Sequence, residues 1–261
     1  MEPDRIALIV STLFFLGGFG YAAYTIGAKK YRSVGANLVL MALGFAGQSV
    51  FLYFRGLEVG RCPNTNVFEI LIFLSWAMVL LYLAVGPAYR LSLLGVFTAP
   101  LVFLFHLAAL MIPAEMAKAR PAEGGSDFWL EIHASVSLLA YGAFAMAFVA
   151  GVMFLVQNRL LKQHRMNHLF YSLPPITHLG HALVRLLIAG VILLTIGIAA
   201  AYGMERSPTG IKLAMSYVVW FLYASLIGIY YFRGLPVSRL ASATVGVFAL
   251  PVFTLWIVSS A

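Results

Sequence analysis

The sequence predicts an all-α polytopic integral membrane protein with eight transmembrane helices. Hydrophobic residues make up 62% of the 261 residues and charged residues only 10%, whereas a soluble domain has about 25% charged residues. Apolar runs of about 20 residues, each long enough to cross about 30 Å of hydrocarbon, recur along the whole chain. None of these runs shows the alternation over about ten residues that is typical of a membrane β-barrel strand.

Polar or Pro/Gly-marked segments end each apolar run in turn. Span 1 ends at AKKYRS, span 2 at RGLEVGRCPNTN, and span 3 at AYR. PAEMAKARPAEGGSD follows span 4, and the long segment NRLLKQHRMNHLFYSLPPITHLG follows span 5. ERSPTG and RGLPVSR separate the last three spans. The predicted spans of this single membrane domain, residues 1–261, are about 6–27, 34–54, 68–88, 91–112, 128–157, 182–203, 211–232 and 239–259.

The first span is predicted to be a retained helix, because it is long, lacks a basic start and follows the acidic MEPD. Ten of the 17 Lys and Arg residues lie in or beside the connections 28–33, 89–90, 158–181 and 233–238, and all nine acidic residues lie on or near the opposite side. By the positive-inside rule, we expect both termini to lie outside. The net charge of +8 is then a signal of topology and attracts anionic lipid at the cytoplasmic face. No basic cluster is long enough to indicate a nucleic-acid partner.

The single cysteine, Cys62, excludes an internal disulfide, a CxxC redox pair and a CxxCH site for covalent haem attachment. Its thiol has two open interpretations, an inert group beside a turn or an external link to a partner. The sequence contains no Ser/His/Asp order with usable spacing, no Gly-rich phosphate loop and no paired carboxylates within a span. We therefore expect a binding or assembly protein rather than a catalyst.

Two histidines lie inside the predicted spans at nearly the same depth. His106 lies six residues before the end of the fourth span and His133 five residues inside the fifth, which places them about 9–10 Å and 7–8 Å below the same boundary. Spans joined in sequence are usually neighbours, so the two rings could face one another. They could make interhelical hydrogen bonds with Glu131, Ser135 or Tyr141, or one or both could be axial ligands of a haem iron.

Four further histidines lie on the connection after span 5. Their i,i+4 and i,i+3 spacings would suit a metal on one helical face, but no Asp, Glu or Cys lies nearby to complete a site. The amphipathic flank LFYSL favours a segment lying on the membrane interface instead. These histidines are His164, His168, His178 and His181.

Several segments together resemble the cytochrome c assembly protein family of the CcsA/HemX type. CPNTNVFEILIFLSWAMVLLYL has an Asn, an aromatic residue and a Glu before an apolar FLSW run. LEIHASVSLLAYG has a His near the start of a helix and a Tyr eight positions on. LIAGVILLTIGIAAAY and YVVWFLYAS follow in the same order. The resemblance covers about residues 60–259.

This resemblance implies a haem-handling protein. In haem-exporting members, external histidines on either side of a Trp-rich segment ligate haem for attachment to apocytochrome c, and His133 matches the first of them. GMERSPTGI at 203–211 has no Trp-rich segment, and residues 212–261 contain no His. The chain therefore resembles the short members, which are associated with cytochrome c assembly or with regulation of tetrapyrrole synthesis. By depth, His106 is the leading candidate for a second ligand.

We therefore expect a multi-pass protein of the bacterial inner membrane that binds or passes haem b at an outward-facing site in the outer leaflet. It would act as a haem chaperone or assembly factor in or beside cytochrome c biogenesis. Its expected partners are the lipid bilayer and other cytochrome c assembly proteins or apocytochrome c. A cofactor-free scaffold or regulator is the alternative, and a small-molecule transporter, which would show broken helices in matching positions, is a third.

Five residues are predicted to form the candidate haem site. Trp129 would be a pocket wall or part of the aromatic belt at the membrane interface. Glu69 would line the pocket, or would cap span 3 with Asn66 or Thr65 in a capping-box spacing. The predicted site residues are His133, His106, Tyr141, Trp129 and Glu69.

Overall fold

Helices form almost all of the described chain, as expected where backbone groups must satisfy one another in hydrocarbon. The computed structural model describes residues 3–27, 34–85, 94–113, 115–118, 127–164, 173–204 and 210–260. These residues form nine helices and no strand. The helices are α1 Pro3–Gly27, α2 Val34–Val59, α3 Val67–Val85, α4 Leu94–Leu110, α5 Phe128–Lys162, α6 Ile176–Ala201, α7 Gly210–Phe232, α8 Val237–Val247 and α9 Ala249–Ser260.

The lengths and hydropathies of these helices confirm an all-helical polytopic membrane protein. Within the described residues, 7 segments are long and apolar enough to cross a membrane, one of them formed by α8 and the start of α9 together. The remaining predicted span, the fourth, corresponds to α4, which has 17 residues and is apolar but shorter than the other seven segments. The side of the membrane on which each terminus lies remains a prediction.

Several predicted helix boundaries differ from the structure; α2, for example, ends at Val59 rather than 54. The last span, predicted as one helix over 239–259, is divided between α8 and α9 at Phe248. Pro251 explains the break, because a helical proline has no N–H and its ring clashes with the carbonyl four residues earlier, that of Val247. Helix α5 continues five residues beyond the predicted 157, to Lys162. Helix α6 begins at Ile176 rather than 182, directly after Pro175.

Helices α1 to α4 form a four-helix bundle, in which α1 contacts α2 and α4, and α3 contacts α2 and α4. Glycines allow α1 and α2 to approach closely, as is common between membrane helices. A Cβ on Gly44 would lie 2.5 Å from the Phe15 ring, and a Cβ on Gly47 would lie 3.3 Å from Ser11. These contacts fix the relative heights of α1 and α2.

Helices α5 and α6 form the most extensive helix pair in the described chain. Small residues meet larger ones at three levels along this antiparallel pair. Gly197 lies against Ser137, Gly190 against Phe144, and Gly151 against Leu183. The contact positions recur every seven residues on both helices, which is the spacing that keeps one seam facing its partner in a left-handed helix pair.

Helix α5 also joins this pair to the four-helix bundle. A Cβ on Gly142 of α5 would lie 2.8 Å from Ala77 of α3, so the two helices are in close contact. On another face of α5, the Phe144 ring stacks on Tyr223 of α7 with centroids 3.9 Å apart. A continuous buried core runs from α1 to α8 through these contacts. Helix α5 is therefore the central helix of the fold.

Candidate functional site

A well-formed N-cap fixes the beginning of α5. The Asp127 carboxylate accepts hydrogen bonds from the backbone N–H groups of Trp129 at 2.9 Å and Leu130 at 3.4 Å. Glu131 lies in the first turn of the helix, where the positive end of the helix dipole favours a carboxylate. His133 follows in the second turn. Asp127 and Glu131, the acidic residues before an otherwise apolar run, therefore stabilise the start of the helix that carries His133.

The ring of His133 is oriented by α6. Its Nδ1 atom lies 2.7 Å from the carbonyl oxygen of Gly197. A carbonyl oxygen can only accept, so Nδ1 carries the proton and donates it. The neutral ring then has an unprotonated Nε2 with a free lone pair, and this atom has no hydrogen-bond partner among the described residues. A metal-binding histidine typically has this arrangement, with one nitrogen held by a carbonyl and the other open.

Gly197 is required at this position by the close approach of α5. A Cβ there would lie 2.4 Å from Ser137 Oγ and 3.5 Å from the His133 carbonyl oxygen. Any larger residue would push the two helices apart and lengthen the hydrogen bond to His133. Ser137 itself is buried, and its hydroxyl has no hydrogen-bond partner in the described chain.

The connection between α2 and α3 lies against a different side of α5. Ser135 Oγ donates a hydrogen bond to Cys62 Sγ at 3.1 Å. Burial raises the pKa of the Cys62 thiol; the Ser135 hydrogen bond lowers it in part, and the nearby carboxylates of Glu131 and Glu69 raise it further. The structure therefore favours a protonated, unreactive thiol over an activated one.

Glu69 caps α3 and is fully buried. Its backbone N–H donates to Asn66 Oδ1 at 2.9 Å, and its carboxylate accepts from the backbone N–H and the hydroxyl of Thr65 at 2.9 and 2.8 Å. The capping role predicted for Glu69 is confirmed. The other carboxylate oxygen accepts from Arg55 Nε at 2.9 Å, so both oxygens are occupied, and the structure gives no support to a role in lining the pocket.

Arg55, which the sequence did not single out, connects three segments. Besides Glu69, its guanidinium contacts Glu58 at 3.3 Å and the backbone carbonyl of Ala117. Asn66 holds the same connection by donating to the Lys118 carbonyl at 3.2 Å. These contacts join the start of the connection between α4 and α5 to the C-terminus of α2 and the N-terminus of α3. They lie at the same end of the molecule as His133.

The rings of His106 and His133, which we expected could face one another, make their hydrogen bonds to different helices. The His106 ring, fully buried, contacts α1: its Nδ1 lies 2.9 Å from Thr12 Oγ1, and it packs edge-on against Phe15 with centroids 4.9 Å apart. His133 instead contacts α6. The similar depths predicted for the two residues were insufficient to predict which neighbours their rings would contact.

Tyr141 and Trp129 lie on either side of His133 along α5. Tyr141 is buried, and its hydroxyl lies 3.2 Å from Thr254 Oγ1 of α9. Trp129 is 46% exposed, and its indole lies so close to Gly203 that a Cβ there would be 2.6 Å from the ring. Trp129 thus combines an exposed face with a contact at the end of α6, as both the belt and the pocket interpretations would allow.

The described histidines of the α5–α6 connection do not form a metal cluster. No group of three or more His, Cys, Asp or Glu residues suitable for a metal occurs within the described ranges. His164 is exposed and has a positive φ of 51°, and His181 is exposed on α6. His168 lies outside the described residues, so its predicted pairing with His164 remains a prediction.

Comparison with known proteins gives a family match over most of the chain. Residues 64–260 match the family model described as cytochrome C assembly protein. The "Cytochrome c biogenesis protein CcsA" of Synechococcus sp. (strain JA-2-3B'a(2-13)) is 32% identical over 168 residues, which cover 62% of this chain and 46% of that protein. The "Protein HemX" of Bacillus subtilis (strain 168) is 26% identical over 199 residues, 72% of each chain.

A second "Protein HemX", from Brevibacillus brevis, is 27% identical over 191 residues, which cover 71% of this chain and 70% of that protein. The chain spans about half the length of the CcsA proteins that it matches. The match to the HemX proteins covers nearly equal shares of both chains, whereas the match to the CcsA proteins covers a larger share of this chain than of theirs. The matched region includes α3 to α9 and excludes α1 and α2.

Proposed function

Because the chain belongs to the cytochrome c assembly protein family, we propose that it is a haem-handling protein of the bacterial inner membrane that acts in cytochrome c biogenesis. It binds or passes a non-covalently held haem, haem b, as a chaperone or assembly factor. Its partners are the lipid bilayer and other assembly proteins or apocytochrome c. The names of its relatives support the pathway, and His133 supports the cofactor.

The orientation of His133 is the single observation that carries this proposal. Iron in haem takes a neutral imidazole nitrogen as an axial ligand. The hydrogen bond from Nδ1 to the Gly197 carbonyl fixes the ring and leaves Nε2 as the nitrogen that would bind iron. A histidine that served only to join helices would make the same single bond, so the family match is what favours the ligand role for His133. The haem would supply its iron as cargo or as a redox centre.

The surrounding residues have supporting roles in this proposal. Trp129, half-exposed and two residues before Glu131 in the first turn of α5, would offer an aromatic face beside the porphyrin. Tyr141 would hold α9 against α5 through Thr254. Glu69 would cap the N-terminus of α3, so neither residue would touch the haem. The proposal gives His106 no axial role, because its ring contacts α1.

The charge distribution supports the proposed orientation. Ten of the 17 Lys and Arg residues lie in or beside the connections 28–33, 89–90, 158–181 and 233–238, which follow the ends of α1, α3, α5 and α7 that lie opposite His133. The positive-inside rule places that end in the cytoplasm, so His133 lies in the outer leaflet and both termini lie outside. The haem site would then face the compartment in which cytochromes c are assembled in bacteria.

Visible absorption spectra of detergent-purified protein, oxidised and dithionite-reduced, test the proposal. The unchanged protein should show the sharp reduced bands of a low-spin haem, either as purified or after addition of haem. His133→Ala should lose these bands, whereas His106→Ala should retain them. His181→Ala, which changes an exposed histidine on α6, is the matched control and should have no effect.

A folded protein that stays colourless and takes up no added haem would contradict the proposal. It would favour the cofactor-free scaffold or regulator that shares the fold. If His106→Ala also lost the bands while keeping its helicity, the two histidines would act as a pair. The assignment of a single histidine would then be wrong.

A further inference from the structure

A layer of polar side chains crosses the interior of the α1–α4 bundle. Each helix contributes one of them, and all four are buried. Polar side chains are costly in the hydrocarbon region and usually hydrogen-bond one another across helices. We refer to Thr12, Gln48, Ser75 and His106 as the polar layer.

Contacts between the helices place the four residues at one height. On α1 and α2, Gly47 lies against Ser11, so Thr12 and Gln48 are within a turn of each other along the bundle. Gln48 Nε2 donates to the Ile72 carbonyl at 2.7 Å and to Ser75 Oγ, which adds α3. Thr12 Oγ1 is 2.9 Å from His106 Nδ1, which adds α4.

The proton positions follow from the partners. The Thr12 hydroxyl donates to the Leu8 carbonyl at 2.8 Å, so its oxygen accepts from His106 Nδ1–H, and Nε2 is left as an acceptor. Gln48 Nε2 must be the donor to the Ile72 carbonyl, because a carbonyl cannot donate. The other amide atom, Oε1, is therefore also an acceptor.

Both of these acceptors lack a donor. His106 Nε2 and Gln48 Oε1 are buried and have no hydrogen-bond partner among the described residues. An unsatisfied buried acceptor destabilises the folded protein. A donor shared by two acceptors that lie within about one turn of each other in one bundle is therefore favourable. Two acceptors on opposite helices call for a ligand that can donate two hydrogen bonds.

We propose that the polar layer is a binding site for ordered water, which donates to Gln48 Oε1 and His106 Nε2 and so links α2 to α4. Water is small, donates two bonds, and occupies buried sites that provide two to four polar partners. A bound cation fits the layer less well, because the four side chains carry no negative charge and include no carboxylate. The site is independent of the proposed haem function, and the Gln48 and Thr12 parts of it lie outside the family match.

A double-mutant cycle tests whether the two acceptors share a ligand. Gln48→Met and His106→Phe each remove one acceptor. Each variant also loses a second hydrogen bond, to Ile72 or to Thr12, but these losses occur in the single and in the double variants alike and cancel in the cycle. The double variant should lower the thermal midpoint in detergent by about 2–4 °C less than the sum of the singles, because the water is lost only once. Gln48→Met with Thr98→Val, a buried polar residue two turns away on α4, is the control pair and should be additive.

Radiolytic hydroxyl-radical labelling tests for the water itself, since radicals formed from a buried water label the side chains beside it. Phe15, in contact with His106, should be labelled in the unchanged protein, and at least fivefold less in Gln48→Met. Phe144, buried in an apolar stack, should remain unlabelled in both. An additive cycle, an unlabelled Phe15, or a midpoint that depends on replacing Na⁺ by a bulky organic cation would each overturn the proposal.

Discussion

The Nδ1 atom of His133 donates to the carbonyl oxygen of Gly197 across 2.7 Å, at a level where α5 and α6 are too close for a side chain on Gly197. One glycine thus provides both the hydrogen-bond acceptor and the space that brings the acceptor within reach. The orientation of the histidine consequently depends on the packing of the helix pair.

We expect Gly197→Ala to disturb the histidine as well as the packing. Its Cβ would lie 2.4 Å from Ser137 Oγ, and relief of this contact should cost about 1–3 kcal/mol. Gly190→Ala, with a Cβ 2.4 Å from Phe144, is the matched control one heptad away. Both variants should unfold at lower temperature, but only Gly197→Ala should weaken or shift the haem bands. Equal spectra in the two variants would contradict the role of Gly197.

Breaking the buried ion pair between Arg55 and Glu69 should strongly destabilise the protein. Arg55→Met leaves a buried carboxylate without its cation, and Glu69→Gln leaves the guanidinium with only the half-exposed Glu58 as its anion. The loss of one partner from a buried pair costs about 3–5 kcal/mol. The double variant should be less destabilised than the sum of the singles. Denaturant titration in micelles would measure these free energies of unfolding.

The exposed pair between Lys118 and Glu115, 3.0 Å apart, is the control for that experiment. Lys118→Ala should leave the unfolding midpoint unchanged, because exposed ion pairs contribute little to stability. If Arg55→Met were as mild as Lys118→Ala, the connection between α4 and α5 would not depend on the buried arginine.

Tyr141→Phe should reduce stability without removing haem. The hydroxyl of Thr254 donates to the Pro251 carbonyl at 2.8 Å, so Tyr141 is the donor in its bond to Thr254, and the loss of this bond should cost about 1 kcal/mol. Thr254→Val should have a similar effect, and the double variant should be no worse than either single. Loss of the haem bands in Tyr141→Phe would instead place the tyrosine at the cofactor.

Alkylation of Cys62 should require a higher pH than that of an ordinary thiol. Because burial raises the pKa of the thiol, the thiolate that reacts with iodoacetamide should form above the usual pKa of about 8.5. Ser135→Ala removes the hydrogen bond that lowers this pKa, so the inflection of rate against pH should move higher still. The same protein unfolded in detergent is the control and should react with an ordinary profile.

Local sequence signals predicted several of these features. The spacing of Asn66 and Glu69 predicted the cap of α3, because a capping box involves residues only three apart. Pro251 carries a similarly local signal for the break between α8 and α9, since its effect reaches back only four residues, but the prediction did not use it. The prediction of one continuous helix there was wrong because it relied on hydropathy alone.

Contacts between distant residues were beyond those signals. Arg55 pairs with Glu69 across a turn and with Ala117 much farther along the chain, and the sequence presents it simply as part of a polar break. Gly197 was one of several glycines in an apolar run. Only its position opposite Ser137 and His133 distinguishes it from the others.

The sequence by itself determined the class of the protein, the order of its membrane-spanning segments and the family, because these follow from hydropathy, local spacing and motif. Only the tertiary structure decided that His133 contacts α6 while His106 contacts α1. The reason is that both lipid and protein interior are apolar, so the periodicity that marks the buried face of a soluble helix is weak in a membrane helix. Close packing at glycines, and the carbonyl and hydroxyl groups within hydrogen-bond distance, then decide which neighbouring helix each polar side chain contacts.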